Sequence, residues 1–277
     1  MKLGVNGYPP LTFRAISIVL GVPVLALGLW LLKVPFRLPR KHWPELLWLA
    51  VTNMFVWHAL IILAVKELSS GRAAILGYSM PIFSAVLGAL VFGNRLQGRA
   101  WAGVMAAALG VLLLLWHEMA TLSGRPWGVI MALTAAATWA LGTQLLRRTQ
   151  LPAHILTISF WMTCLTALVL TSLAWAFERG QWVLPSPATQ AAIAFNAVLI
   201  FGFAQAVWLY LARTLPPAAS TLSVMFIPIL GVFCGAWWLG EVLHWQDWAA
   251  VGLIVLAIGS VLLPARAAKP AAKPAAN

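Results

Sequence analysis

Apolar residues along this chain gather into long runs, and short polar joints divide them. About 20 consecutive apolar residues are needed to cross a hydrocarbon core about 30 Å thick. Nine runs meet that length, at approximately 11–32, 45–64, 73–92, 100–117, 127–146, 153–177, 189–211, 217–239 and 246–264. The joints carry turn or charge signals, as between Lys33 and Pro44, Gly93 and Arg99, and Arg147 and Pro152. The pattern predicts an all-α polytopic membrane protein. The tail at 265–277, with Lys269, Pro270, Lys273 and Pro274 among alanines, is low in complexity and predicts a disordered segment.

Nine spans place the two chain ends on opposite sides of the bilayer, and the basic residues decide which side is which. One set of joints holds Lys33, Arg37, Arg40, Lys41, Arg95, Arg99, Arg147, Arg148, Arg213, Arg266, Lys269 and Lys273; the other holds Lys2, Lys66, Arg72, Arg125 and Arg179. Twelve against five sets the C-terminus in the cytoplasm of a bacterial inner membrane and Met1 outside. An outside start with no preceding helix is awkward, so the reading expects a first helix that this chain lacks.

Composition agrees. Of 277 residues, 62% are hydrophobic and 9% charged, with a mean hydropathy of +0.91, which excludes an ordinary soluble domain. The net charge of +12 sits in the joints, so it orients the chain in lipid and argues against nucleic acid as a partner. Among the 16 tryptophans, Trp30, Trp43, Trp101, Trp127, Trp182, Trp245 and Trp248 flank the runs as an interfacial belt. Cys164 and Cys234 lie inside runs and read as small core residues, with no disulfide framework and no metal site.

The chain also repeats itself. Leu68-Ser69-Ser70-Gly71-Arg72-Ala73-Ala74, Met80-Pro81-Ile82 and Val91-Phe92-Gly93-Asn94-Arg95-Leu96 recur 147 residues later as Leu215-Pro216-Pro217-Ala218-Ala219-Ser220-Thr221, Ile227-Pro228-Ile229 and a block ending Leu239-Gly240-Glu241-Val242-Leu243. Trp101 then matches Trp248, and Gly103 and Gly110 match Gly252 and Gly259 after a two-residue insertion. That offset advances the chain by five spans, an odd number, so the copies enter the membrane in opposite senses. Such inverted repeats place a transporter's site near the bilayer midplane. The units expected are 1–120, lacking its first helix, and 121–264.

The mid-helix proline, the Gly-Glu-x-x-Leu block and the glycine-spaced last helix resemble the EamA-type drug/metabolite transporter superfamily. The resemblance covers essentially the whole chain. It is strongest at Pro228, Gly240-Glu241-Val242-Leu243, Gly252 and Gly259, and departs at Asn94, where the family often has Glu. It implies a ten-helix, five-plus-five inverted-repeat fold, of which nine helices are in this chain. The aromatic-rich spans look most like the bacterial aromatic amino acid exporters within that superfamily.

Polar and aromatic groups in mid-span are the candidate site. Asn53, Trp57 and His58 lie on adjoining turns near the centre of their run, and Tyr78 precedes Pro81 by three residues. Pro81 frees the carbonyl of Gly77 and Pro228 that of Val224, beside Ser223 and Phe226, so two broken ladders are expected at equivalent depths. Trp139 and Trp161 sit inside their runs, away from the interfacial belt. The four repeat-matched glycines read as close helix packing, and Arg14 and Arg72 as residues that snorkel from span ends.

No Asp or Glu occupies the middle of a run, which disfavours the carboxylate mechanism of the superfamily's small cation/proton antiporters. No catalytic constellation and no cofactor motif stands out, so the chain does not read as an enzyme. The function expected is export or facilitated movement of a small amphipathic solute, an amino acid and an aromatic one, by alternating access. Its partners are that solute and membrane lipid. Trp57, Trp139 and Tyr78 are expected to stack the ring or hold an ammonium by cation–π attraction. The alternatives are export of other metabolites or drugs, or a lipid-handling or interaction role without transport.

Overall fold

The computed structural model describes residues 2–5, 7–68, 73, 76–77, 79–93, 98, 101–106, 108–110, 112–113 and 126–215, with scattered positions between 227 and 256. All regular structure among them is helical. We label the main elements α1 (Pro10–Leu31), α2 (Arg40–Glu67), α3 (Met80–Leu90), α4 (Pro126–Arg148), α5 (Ile155–Gln181) and α6 (Pro187–Thr214). All but α3 are long and apolar enough to cross a membrane, and they coincide with the runs at 11–32, 45–64, 127–146, 153–177 and 189–211. The run at 73–92 contains α3, while most of the runs at 217–239 and 246–264 lies outside the described residues. A shorter apolar helix covers Trp101–Gly110.

Local chemistry explains where these helices begin. Pro10 and Pro187 occupy first turns, where a missing N–H costs nothing. The Ser186 hydroxyl accepts from Thr189 N–H (3.2 Å), and His154 Nδ1 accepts from Leu156 N–H (3.2 Å). The α1 start has no side-chain cap of its own. Glu178, near the end of α5, supplies one: its carboxylate accepts from Leu11 N–H (3.0 Å), Thr12 N–H (2.7 Å) and the Thr12 hydroxyl (2.8 Å). The N-terminal end of a helix dipole favours that negative charge.

Helices α1 and α5 pack along each other, and both of their ends are fastened. Opposite Glu178, the Thr157 hydroxyl donates to Pro35 O (2.7 Å) and the Trp161 indole N–H to Phe36 O (2.7 Å). Helix α4 packs along the second half of α2 and along α3, and α1 packs against the middle of α6. Small residues permit these approaches. A Cβ on Gly21 would stand 2.5 Å from Phe201 Cβ, one on Gly202 would stand 2.5 Å from Val24 Cγ1, and one on Gly142 would stand 2.6 Å from Asn53 Nδ2. Gly252, expected to pack closely, has open space beside it among the described residues.

Large apolar side chains remain exposed outside the packed helices, including the belt residues Trp30, Trp127, Trp182, Trp245 and Trp248. A lipid-facing surface requires this, because no water contact penalises it. Trp43 instead packs against Trp161, with ring centroids 5.1 Å apart.

Two of these helices contain π-helical stretches. Val51–Phe55 in α2 and Asn196–Ala204 in α6 are π-helical. A shift of 147 residues carries 51–55 onto 198–202, inside the second segment. Wide turns of this kind are rare and gather at functional sites.

Candidate functional site

Several buried hydroxyls bond within their own helix. Ser17, Thr52, Thr143, Thr163 and Thr166 each donate to the carbonyl four residues earlier, at 2.8–2.9 Å. They serve packing, as membrane Ser and Thr commonly do. A second group of polar atoms has no hydrogen-bond partner among the described residues. It includes Asn53 Oδ1, both His58 ring nitrogens, Gln205 Nε2 and the indole nitrogens of Trp139 and Trp208, with Ser159 Oγ and His42 Nε2 elsewhere.

Apart from Ser159 and His42, these residues lie around one circuit of rings. Trp57 meets Trp139 with centroids 4.3 Å apart, and Trp139 meets Trp208 at 5.7 Å, edge to face. His58, next to Trp57 in sequence, meets Phe201 at 4.9 Å. Phe201, Gln205 and Trp208 follow one another at helical spacing on α6 and close the circuit. Helices α2, α4 and α6 therefore each contribute, and the π-helical turns end two residues before Trp57 and immediately before Gln205. Asn53 lies within the first of these turns; its Nδ2 donates to Leu49 O (3.3 Å), leaving the carbonyl oxygen over. Gly142 brings α4 against it.

A cation stands beside this group. Arg14 is fully buried, at 0% exposure, with its guanidinium 5.6 Å from the Phe201 ring centroid and Nη1 donating to Asn196 Oδ1 (3.4 Å). Asn196 is about 13 Å along α6 from its start, so the charge lies well inside the protein. The expectation that Arg14 snorkels to water is corrected: a neighbouring Asn and an aromatic face hold it inward. Arg72 lies outside the described residues.

The structure brings Asn53, Trp57, His58 and Trp139 together. It does not bring Trp161 to them; that ring packs with Phe36's neighbour Phe160 (5.2 Å) and with Trp43, and its N–H is spent on the loop after α1. Tyr78, Ser223, Phe226 and Pro228 lie outside the described residues. The backbone turns at Ser79, whose N–H donates to Leu76 O (3.2 Å), and Pro81 stands in the first turn of α3. Pro23 is a further proline, interior to α1, that the repeat pattern does not mark.

Phe201, Gln205, Trp208, Asn196 and Glu178 are not among the residues expected from sequence. One signal exists for Gln205: the 147-residue offset that relates the repeats carries His58 onto it. Nothing in the local sequence marks Glu178 as a cap for a helix 166 residues away.

Five apolar helices with a lipid-facing exterior and aromatic and polar groups buried at a three-helix junction are those of a polytopic helical membrane protein. The chain belongs to the EamA-like transporter family, which matches residues 1–116 and 126–263. Among its relatives is the "Uncharacterized inner membrane transporter YedA" of Escherichia coli (strain K12), 30% identical over 285 residues, covering 96% of this chain and 87% of that one. The "Probable amino-acid metabolite efflux pump" of Salmonella typhimurium is 26% identical, over 92% of this chain and 86% of its own. A solved crystal structure superposes with a TM-score of 0.76 at 19% identity, over 95% of this chain and 91% of its own, and shows the same fold.

Proposed function

We propose that this transporter moves an amino acid, with preference for aromatic side chains, across the bacterial inner membrane by alternating access, and that it catalyses no reaction. The circuit of Trp57, Trp139, Trp208 and Phe201 carries the reading, because clustered aromatic rings in tilted and edge-to-face contact favour a further planar ring. A relative that bears the name of an amino-acid metabolite efflux pump supports it. The two units are residues 1–120 and 121–264, inverted with respect to each other, and 265–277 forms a cytoplasmic tail. The shared offset of the π-helical turns supports that division. Solute and membrane lipid are the only partners the reading requires.

The test is counterflow in vesicles reconstituted with the full chain, run over all amino acids. Trp57→Ala and Trp139→Ala should each lower aromatic flux about 3- to 10-fold while aliphatic flux changes less, since ring–ring contacts are worth about 0.5–1.5 kcal/mol beyond area burial. Trp161→Ala serves as control and should leave the aromatic-to-aliphatic ratio unchanged. Absence of counterflow for every amino acid would reject the substrate class.

A further inference from the structure

Most of the unpartnered atoms around the ring circuit are hydrogen-bond donors. Trp139 and Trp208 offer indole N–H groups, which only donate, and Gln205 Nε2 carries two more donors. His58 presents at least one N–H in either protonation state. Against these stand Asn53 Oδ1 and, on a neutral imidazole, one ring nitrogen. His58, Gln205 and Asn53 are 3%, 8% and 1% exposed, so water does not reach them freely. A buried donor left unmatched costs about 1–3 kcal/mol. Several gathered at one junction call for an acceptor-rich group, and the Arg14 guanidinium, 5.6 Å from the Phe201 ring centroid, brings a positive charge beside them.

We propose that this junction recognises the carboxylate of the transported solute, with Gln205 and Trp208 on α6 and Trp139 on α4 as the donors that specify it and Arg14 as the charge that favours an anion. This deepens the transport reading and rests on it for the motion, though not for the ligand. An aromatic carboxylic acid satisfies both halves of the site: its ring stacks on indole, and its two oxygens accept N–H bonds that charge strengthens. A cation with the same ring satisfies only the first half. His58 and Gln205 occupy positions related by the repeat offset, so both repeats present nitrogen to the same group.

The experiment compares matched pairs on the purified full chain, read as concentration-dependent thermal stabilisation. The probes are 3-phenylpropionate against 3-phenylpropanamide, and L-phenylalanine against L-phenylalaninamide. Each acid should stabilise at concentrations about 10-fold or more below its amide, the ratio expected for one charged hydrogen bond. Gln205→Glu, nearly isosteric, replaces two donors by a carboxylate. It should abolish the preference for acids and leave L-phenylalaninamide bound as well as before or better. A packing role for Gln205 would not reverse the order of charge. Trp208→Phe keeps a ring and removes one N–H, and should weaken the acids alone; it serves if the Glu variant does not fold. Amides that protect as well as acids, acids that protect nowhere, or an unchanged acid preference in both variants would overturn the assignment. Protection by 3-phenylpropionate with no amino-acid counterflow would sink the amino-acid reading and leave this one standing.

Discussion

Replacing Glu178 tests whether one carboxylate holds the start of α1. In Glu178→Ala, the N–H groups of Leu11 and Thr12 lose their acceptor at a buried helix start. Each stranded donor costs about 1–3 kcal/mol, and loss of the charge at the helix N-terminus adds about 0.3–1 kcal/mol. Trp182, whose indole N–H donates to the Thr12 hydroxyl (3.0 Å), keeps that hydroxyl engaged and limits the damage. A net loss of about 3 kcal/mol is therefore expected, which lowers Tm by about 6–12 °C at the scaling for a chain of this size. Glu178→Gln keeps one carbonyl oxygen and should lose about 1 kcal/mol. Glu45→Ala is the matched control: Glu45 is exposed and accepts from the Thr149 hydroxyl, so its loss should stay below about 1 kcal/mol. Tyr8, whose hydroxyl is pushed up by burial and by the Glu178 carboxylate, stays neutral beside the cap at neutral pH. Thiol-reactive dye unfolding in detergent reads all three variants. A Glu178→Ala protein that melts within about 1 °C of wild type would show that the carboxylate does not hold the α1 start, because buried donors cannot be stranded at no cost.

Two further expectations concern packing and orientation. Gly142→Ala adds a methyl 2.7 Å from the Thr52 carbonyl carbon, which cannot move aside as a side chain can; overpacking of about 1–3 kcal/mol should outweigh the gain of about 1 kcal/mol in helix propensity, so a higher Tm would count against the close approach of α4 and α2. In a chain without Cys164 and Cys234, an impermeant periplasmic thiol reagent should reach a cysteine at Gly124 and spare one at Gly98; the opposite pattern would invert the orientation drawn from the basic joints.

How much is legible in sequence depends on the range of the physics. The lengths of the apolar runs follow from bilayer thickness and the rise of a helix, both local quantities, so the run lengths alone locate α1, α2, α4, α5 and α6. Asn53, Trp57, His58 and Trp139 stand out because a polar or indole group in mid-span is costly wherever the helix packs. Trp161 answers to the same rule, yet its N–H reaches Phe36 O, since α5 is paired with the loop after α1. Arg14 reads as a snorkelling residue because its place in the run is near an end; Asn196 and Phe201, supplied by α6, turn it inward. The π-helical turns leave no composition signature, and the Glu178 cap joins residues 166 apart. The five described spans and the membrane class are legible in sequence, because the bilayer acts on each segment alone. Which polar groups meet, which go unpartnered, and what ligand they suit were decided by tertiary packing, because hydrogen bonds and ring contacts act over a few ångströms between segments that the chain order keeps far apart.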